Sequence, residues 1–132
     1  MKQICSDLEA QYQELDDLVA GLDEYQWQFK TPFFNWSIFD EVAHIAFFDK
    51  TALLAVDELD QFRKHAKEMI KVIMNDGSFP AYTNPQLGLE NPEELPLKWR
   101  KIRTQLLQRL NTMGPKDRLP WYGPDMSARS FA

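Results

Sequence analysis

Trp36-Ser37-Ile38-Phe39-Asp40-Glu41-Val42-Ala43-His44-Ile45-Ala46-Phe47-Phe48 is the stretch that decides the fold. Ser37 is an N-cap whose hydroxyl suits an orphan backbone N–H, and Asp40 three residues on serves as a short capping-box acid. Asp40 and Glu41 also suit the positive end of the helix dipole. From Ile38 through Val56 the apolar positions are dense: Ile38, Phe39, Val42, Ala43, Ile45, Ala46, Phe47, Phe48, Ala52, Leu53, Leu54 and Val56. A helix this apolar is buried on more than one face, so it is the central helix of whatever surrounds it.

Outward from it the period stays helical. Ile4, Leu8, Leu15, Leu18, Val19 and Leu22 recur at spacings of three, four and seven, which predicts a first helix with this set on its inner face and Asp and Glu opposite. The connection through Trp27, Thr31, Pro32 and Phe34 carries aromatics that belong inside, so an ordered segment is expected there. After the central helix, Phe62, Ala66, Met69, Ile70 and Ile73 predict a third helix, either capped by Asp60 or continuous through a bend, and stopped by Asn75-Asp76-Gly77. Pro80, Pro85 and Gly88 predict a long loop to about residue 90. Asn91-Pro92-Glu93-Glu94 starts another helix, complicated by Pro96, with Leu95, Trp99, Ile102, Leu106 and Leu110 as its stripe and Gly114-Pro115 as its end. Pro120-Trp121-Tyr122-Gly123-Pro124-Asp125-Met126-Ser127 reads as a rigid turn whose Ser127 caps a further helix. Nothing alternates at period two, so the expected class is an all-α antiparallel bundle forming one domain over residues 1–132.

Composition excludes several function classes. The 132 residues carry a formal net charge of −5, and no basic tract is available for phosphates, so nucleic acid is set aside. Residues 1–60 hold 13 acidic and 3 basic side chains, whereas residues 61–132 hold 7 acidic and 12 basic ones, so the halves are expected to face one another. The single Cys5 forms no intrachain disulfide, the N-terminus turns acidic too early for a signal peptide, and no segment is apolar enough for a membrane span. The expected location is the cytoplasm.

His44 is the one suggestive chemical group. A neutral imidazole inside a bundle binds a divalent metal when further His or carboxylate side chains converge on it, and is otherwise a core histidine bonded to a neighbouring helix. Both readings stay open from the residues. His65 has charged neighbours and reads as a surface residue. Asp16-Asp17 and Glu93-Glu94 read as solvated faces, and Trp27, Phe33, Phe34 and Trp36 as core. The catalogue of catalytic motifs is otherwise empty, so no catalytic or cofactor-binding residue is assigned.

The order Trp27, Thr31-Pro32 and Trp36 through Asp49 resembles the first half of the DinB-like superfamily, in particular the N-terminal domain of mycothiol-dependent maleylpyruvate isomerases. It is more similar still to an uncharacterised metal-binding group within that family, some of whose members are named for wyosine base formation, in which Trp-Tyr-Gly-Pro-x-Met-Ser precedes the last helix. Trp121-Tyr122-Gly123-Pro124-Asp125-Met126-Ser127 matches that segment. The resemblance implies a DinB-like helical bundle whose metal is bound by a histidine on the second helix and by a glutamate and a histidine on the last long helix. His44 matches the first ligand. The other two have no counterpart, since the sequence reads Ser130-Phe131-Ala132 where that helix is getting under way. The resemblance further implies a divalent metal, zinc or nickel, a low-molecular-weight thiol, a small-molecule substrate and transferase or isomerase activity in the intact protein. The alternative expectation is a non-catalytic domain that forms a homodimer, covering with a second copy a groove lined by residues such as Phe48 and Leu106.

Overall fold

A computed structural model describes residues 1–75 and 78–132. Its first helix, α1 (Lys2–Val19), buries Cys5, Tyr12, Asp16 and Val19. The expected face is largely kept, since Val19 is buried and Ile4, Leu8, Leu15 and Leu22 pack against the core, but Leu18 is 71% exposed and Asp16, read as solvated, is among the most enclosed polar residues. The cause of the Asp16 burial lies on another helix. Arg100 and Arg103 bind its carboxylate at 2.7 and 2.6 Å.

A short helix, α2 (Glu24–Trp27), is closed by a capping box between Asp23 and Gln26. The chain then doubles back: Lys30 pairs with Ser37, Thr31 N–H donates to the Trp36 carbonyl at 2.6 Å, and Ile38 N–H donates to Phe29 at 3.0 Å. The connection is ordered as expected, with Trp27 packed on the core and Trp36 half-buried, but Phe33 and Phe34 are not inside. Phe33 and Phe34 are 52% and 82% exposed, because Phe34 (φ 47°) and Asn35 (φ 57°) lie in the left-handed region and carry the tip outward. A bulky residue there costs about 1–3 kcal/mol and persists only where the surroundings impose it.

The central helix, α3 (Ile38–Asp57), starts on the capping box of Ser37 and Asp40. Asn84 Nδ2 donates to the second Asp40 oxygen at 2.9 Å, so the cap is also a tertiary clamp. Val42, Ala43, Ala46, Phe47, Thr51, Ala52 and Ala55 are buried along it. Glu58, with φ −139° and ψ 68°, ends α3 and at once precedes α4 (Leu59–Met74), so a break at Glu58 settles the Asp60 alternatives and Asp60 lies in the first turn. Of the expected stripe Phe62 and Met69 are buried, while Ile70 is 43% exposed. Asn75 occupies the C-cap; Asp76 and Gly77 of the expected stop lie outside the described residues.

The expected long loop is largely helical instead. Its chain forms α5 (Phe79–Thr83) and a 3₁₀ turn (Asn84–Leu87), closed by Gly88 at φ 64°. Pro80 and Pro85 sit in the first turns of these pieces, where proline needs no partner for its missing N–H, so they start helices where they were read as breakers. Leu87 is fully buried and Lys50 Nζ donates to the Gln86 carbonyl at 2.6 Å, pinning the segment on α3.

Pro92–Glu94 forms a 3₁₀ turn before α6 (Leu95–Asn111), and Asn91 makes no side-chain cap. The stripe of α6 is the expected one, with Arg103 added to it. Past Gly114 a two-residue hairpin, β1 (Arg118–Leu119) against β2 (Met126–Ser127), frames the Trp121–Gly123 turn. Strands this short carry too few side chains to show an alternating pattern. Ser127 Oγ then accepts from Ser130 N–H at 3.2 Å and caps α7 (Ala128–Phe131) as expected. Apart from the hairpin the fold is an all-α helical bundle, and no helix among the described residues is long and apolar enough to cross a membrane.

The charge asymmetry of the two halves is realised in Asp16 with Arg100 and Arg103 and in Asp57 with Arg109, each joining an acid of residues 1–60 to a base of residues 61–132. Trp121 is half-buried, stacked on Phe62 with centroids 5.8 Å apart and planes within 8°, and edge-on to Phe131 at 5.0 Å. Trp121→Ala is expected to lower unfolding free energy by about 2–3 kcal/mol, since half a tryptophan face is lost. Urea unfolding tests this, and a loss under about 1 kcal/mol would show that the turn is not a clamp.

Candidate functional site

A hollow of about 1010 Å³ opens at the N-terminal end of α3 and is lined, among the described residues, by Phe33, Phe34, Trp36, Glu41, His44, Ser78 and Phe79. Local structure sets each contribution. The capping box aligns the first turn of α3, so Glu41 and His44, three residues apart, share the face that looks into it. The left-handed tip of the α2–α3 connection supplies Phe33 and Phe34, and the start of α5 supplies Phe79. Thr31 Oγ1 donates to Glu41 Oε1 at 2.9 Å and so orients the carboxylate.

His44 sits among aromatic rings: Phe48 at 4.7 Å, Trp36 at 5.2 Å and Phe79 at 5.9 Å between centroids. Burial pulls its pKa below the ordinary histidine value against the opposing field of Glu41, so the ring is neutral at physiological pH. Its Nδ1 is buried and has no hydrogen-bond partner among the described residues. The core-histidine reading required a bond to a neighbouring helix, and that bond is missing at Nδ1. A neutral imidazole with spare donor capacity fits one position of a metal site. The described residues go no further, because no group of three or more His, Cys, Asp or Glu among them is placed to hold an ion.

His65 is not the surface residue expected. Its Nε2 lies 2.8 Å from the Tyr122 hydroxyl, and its ring packs against Phe47 and Phe62. It borders a second hollow of about 540 Å³ with Lys50, Thr51 and Gln86, and does not line that of His44. Phe48 and Leu106 do border a groove, of about 200 Å³, together with Tyr12, Asp49, Trp121 and Phe131. Leu106 is only 3% exposed, because α7 and the Trp121 turn lean over it.

The sequence profile described as mycothiol maleylpyruvate isomerase N-terminal domain matches residues 8–132. The chain belongs to this family. Two uncharacterized proteins of Mycobacterium tuberculosis, MT0041 of strain CDC 1551 and Rv0036c of strain ATCC 25618, are each 34% identical to it over 127 residues, covering 96% of this chain and 48% of their own length. The chain thus spans about half the length of the curated relatives it matches. No solved structure matches it. In this mycothiol-related, DinB-like family member His44 stands on the central helix, α3, and lines the hollow described above. Sequence reasoning missed the Glu41 carboxylate beside it, which was read only as a dipole acid although its i, i+3 spacing to His44 was visible, and missed Ser78 and Phe79, which lay in the stretch read as loop.

Proposed function

We propose that this domain supplies one ligand, His44, to a divalent-metal site, zinc or nickel, in a cytoplasmic transferase or isomerase that uses a low-molecular-weight thiol of the mycothiol type on a small-molecule substrate. The observation that carries the reading is the neutral His44 ring, with Nδ1 buried and without a partner among the described residues, at the edge of a pocket of small-molecule size. Family membership supports it. The remaining ligands come from outside the described residues, and the metal lowers the pKa of a bound thiol or water when present. Titration with Co²⁺, followed by its visible absorption, in a form extended to the length of the relatives is expected to show binding that His44→Ala weakens at least about tenfold. Equal binding by the variant would overturn the assignment.

A second reading is a non-catalytic domain that forms a homodimer over the shallow groove that Phe48 shares with Trp121 and Phe131, with Leu106 already covered at its floor. Light scattering at micromolar concentration decides it: a dimer mass supports this reading, and a stable monomer of 15.5 kDa removes it.

A further inference from the structure

The pocket beside His44 has an aromatic lining that a metal ligand does not explain. Among the described residues its lining includes Phe33, Phe34, Trp36 and Phe79, with the Glu41 carboxylate beside them. No described lysine or arginine lines it. The nearby start of α3 does not serve an anion either, because Ile38 N–H is bonded to Phe29, and Asp40 N–H to Ser37 Oγ at 3.0 Å. An anionic ligand would meet the Glu41 carboxylate and, among the described residues, no opposite charge.

A cation with an alkyl surface meets the opposite. Aromatic faces attract it through their quadrupoles, and its alkyl groups replace water on apolar rings that otherwise stay wet. Phe33 stands edge-on to Trp36 at 5.0 Å and to Phe34 at 4.9 Å, which makes adjoining walls of different orientation, the arrangement that surrounds a rounded group better than a flat one. Phe34 is 82% exposed with its backbone in the left-handed region, which places its ring at the open edge of the pocket. Thr31 holds one Glu41 oxygen, so the carboxylate is positioned in advance of binding.

We propose that this pocket binds an organic cation of the alkylated ammonium class, caged by Phe33, Phe34, Trp36 and Phe79 and paired with the Glu41 carboxylate. The site shares His44 with the metal reading above but needs neither the metal nor a thiol, so it stands or falls separately. The test titrates the chain, in EDTA, with choline and with its uncharged carbon analogue 3,3-dimethylbutan-1-ol, following backbone amide shifts by NMR. Choline is expected to give saturable shifts at Phe33, Phe34 and Glu41, with the analogue at least about tenfold weaker. Glu41→Gln, which retains an acceptor for Thr31, and Phe34→Leu, which alters only an exposed ring, are each expected to weaken choline about fivefold or more while circular dichroism stays native. Equal binding of the uncharged analogue would overturn the proposal. So would the absence of saturable shifts in the folded chain at about 100 mM choline, a concentration far above what even a weak cage requires.

Discussion

Trp99→Ala is expected to cost about 4–5 kcal/mol, since it removes a fully buried indole together with its hydrogen bond. Trp99 is fully buried between α1, α3 and α6, and its ring meets three different partners. Tyr12 stands edge-on at 5.8 Å, the Arg103 guanidinium lies 4.4 Å over its face, and Nε1 donates to Asp49 Oδ2 at 2.9 Å. Asp49 is on α3, five residues after His44, so this contact also positions the helix that carries the site. Burial pushes the Asp49 carboxyl above the usual carboxylate range, with Tyr12 and Trp99 opposing by their hydrogen bonds. Removing the indole therefore opens a cavity and strips a buried oxygen of its donor in one step. Trp99→Phe separates the two effects: it keeps most of the volume and is expected to cost about 1–3 kcal/mol, the cost of the unpartnered oxygen. Guanidinium unfolding measures both, and a Trp99→Ala loss under about 2 kcal/mol would show that the α3–α6 contact does not depend on this ring.

Asp16→Ala is expected to cost about 3–5 kcal/mol, because it leaves the guanidinium of Arg103, itself only 9% exposed, buried without its counter-charge. Arg103 also donates to the Tyr12 carbonyl at 3.1 Å, so it has no easy route to solvent. Arg100 contributes less, since its side chain is 43% exposed and water replaces the lost partner. The double variant Asp16→Ala, Arg103→Met is expected to recover more than half of the loss, since a buried pair replaced by apolar groups is far less costly than a broken one. The same pair sets an acid dependence. The hydrogen bond from Arg100 is the largest influence on the Asp16 carboxyl, and with Arg103 it outweighs desolvation and holds the carboxyl below the usual range. A folded pKa below the unfolded value of about 3.9 means the contribution is complete above that value and is lost as pH falls through the lower folded one. Wild-type stability should therefore fall below about pH 4 more steeply than that of Asp16→Ala, as urea midpoints across pH 2–6 will show.

What could be read from the chain by itself was whatever is local in cause. The Ser37 and Asp40 cap, the burial of α3, the stripe of α6 and the Ser127 cap follow from side chains within one or two turns of each other, and the motif around His44 carried the family. Pattern reading failed where a distant group made the choice. Asp16 looked like surface, yet two arginines 84 and 87 residues later hold it inside, because the energy of an ion pair is not present until α6 is alongside α1. Phe33 and Phe34 looked buried by hydrophobicity, and a left-handed tip that depends on the Lys30–Ser37 pairing turned them into a pocket lip. His65 found Tyr122, 57 residues away, and Phe79 joined Glu41 and His44 in one hollow only when α5 packed beside α3. Hydrophobic period and capping are short-range quantities, so they determined the helices. The site is made of desolvation, unsatisfied donors and facing aromatic rings, which come into being only when segments far apart in sequence are packed together.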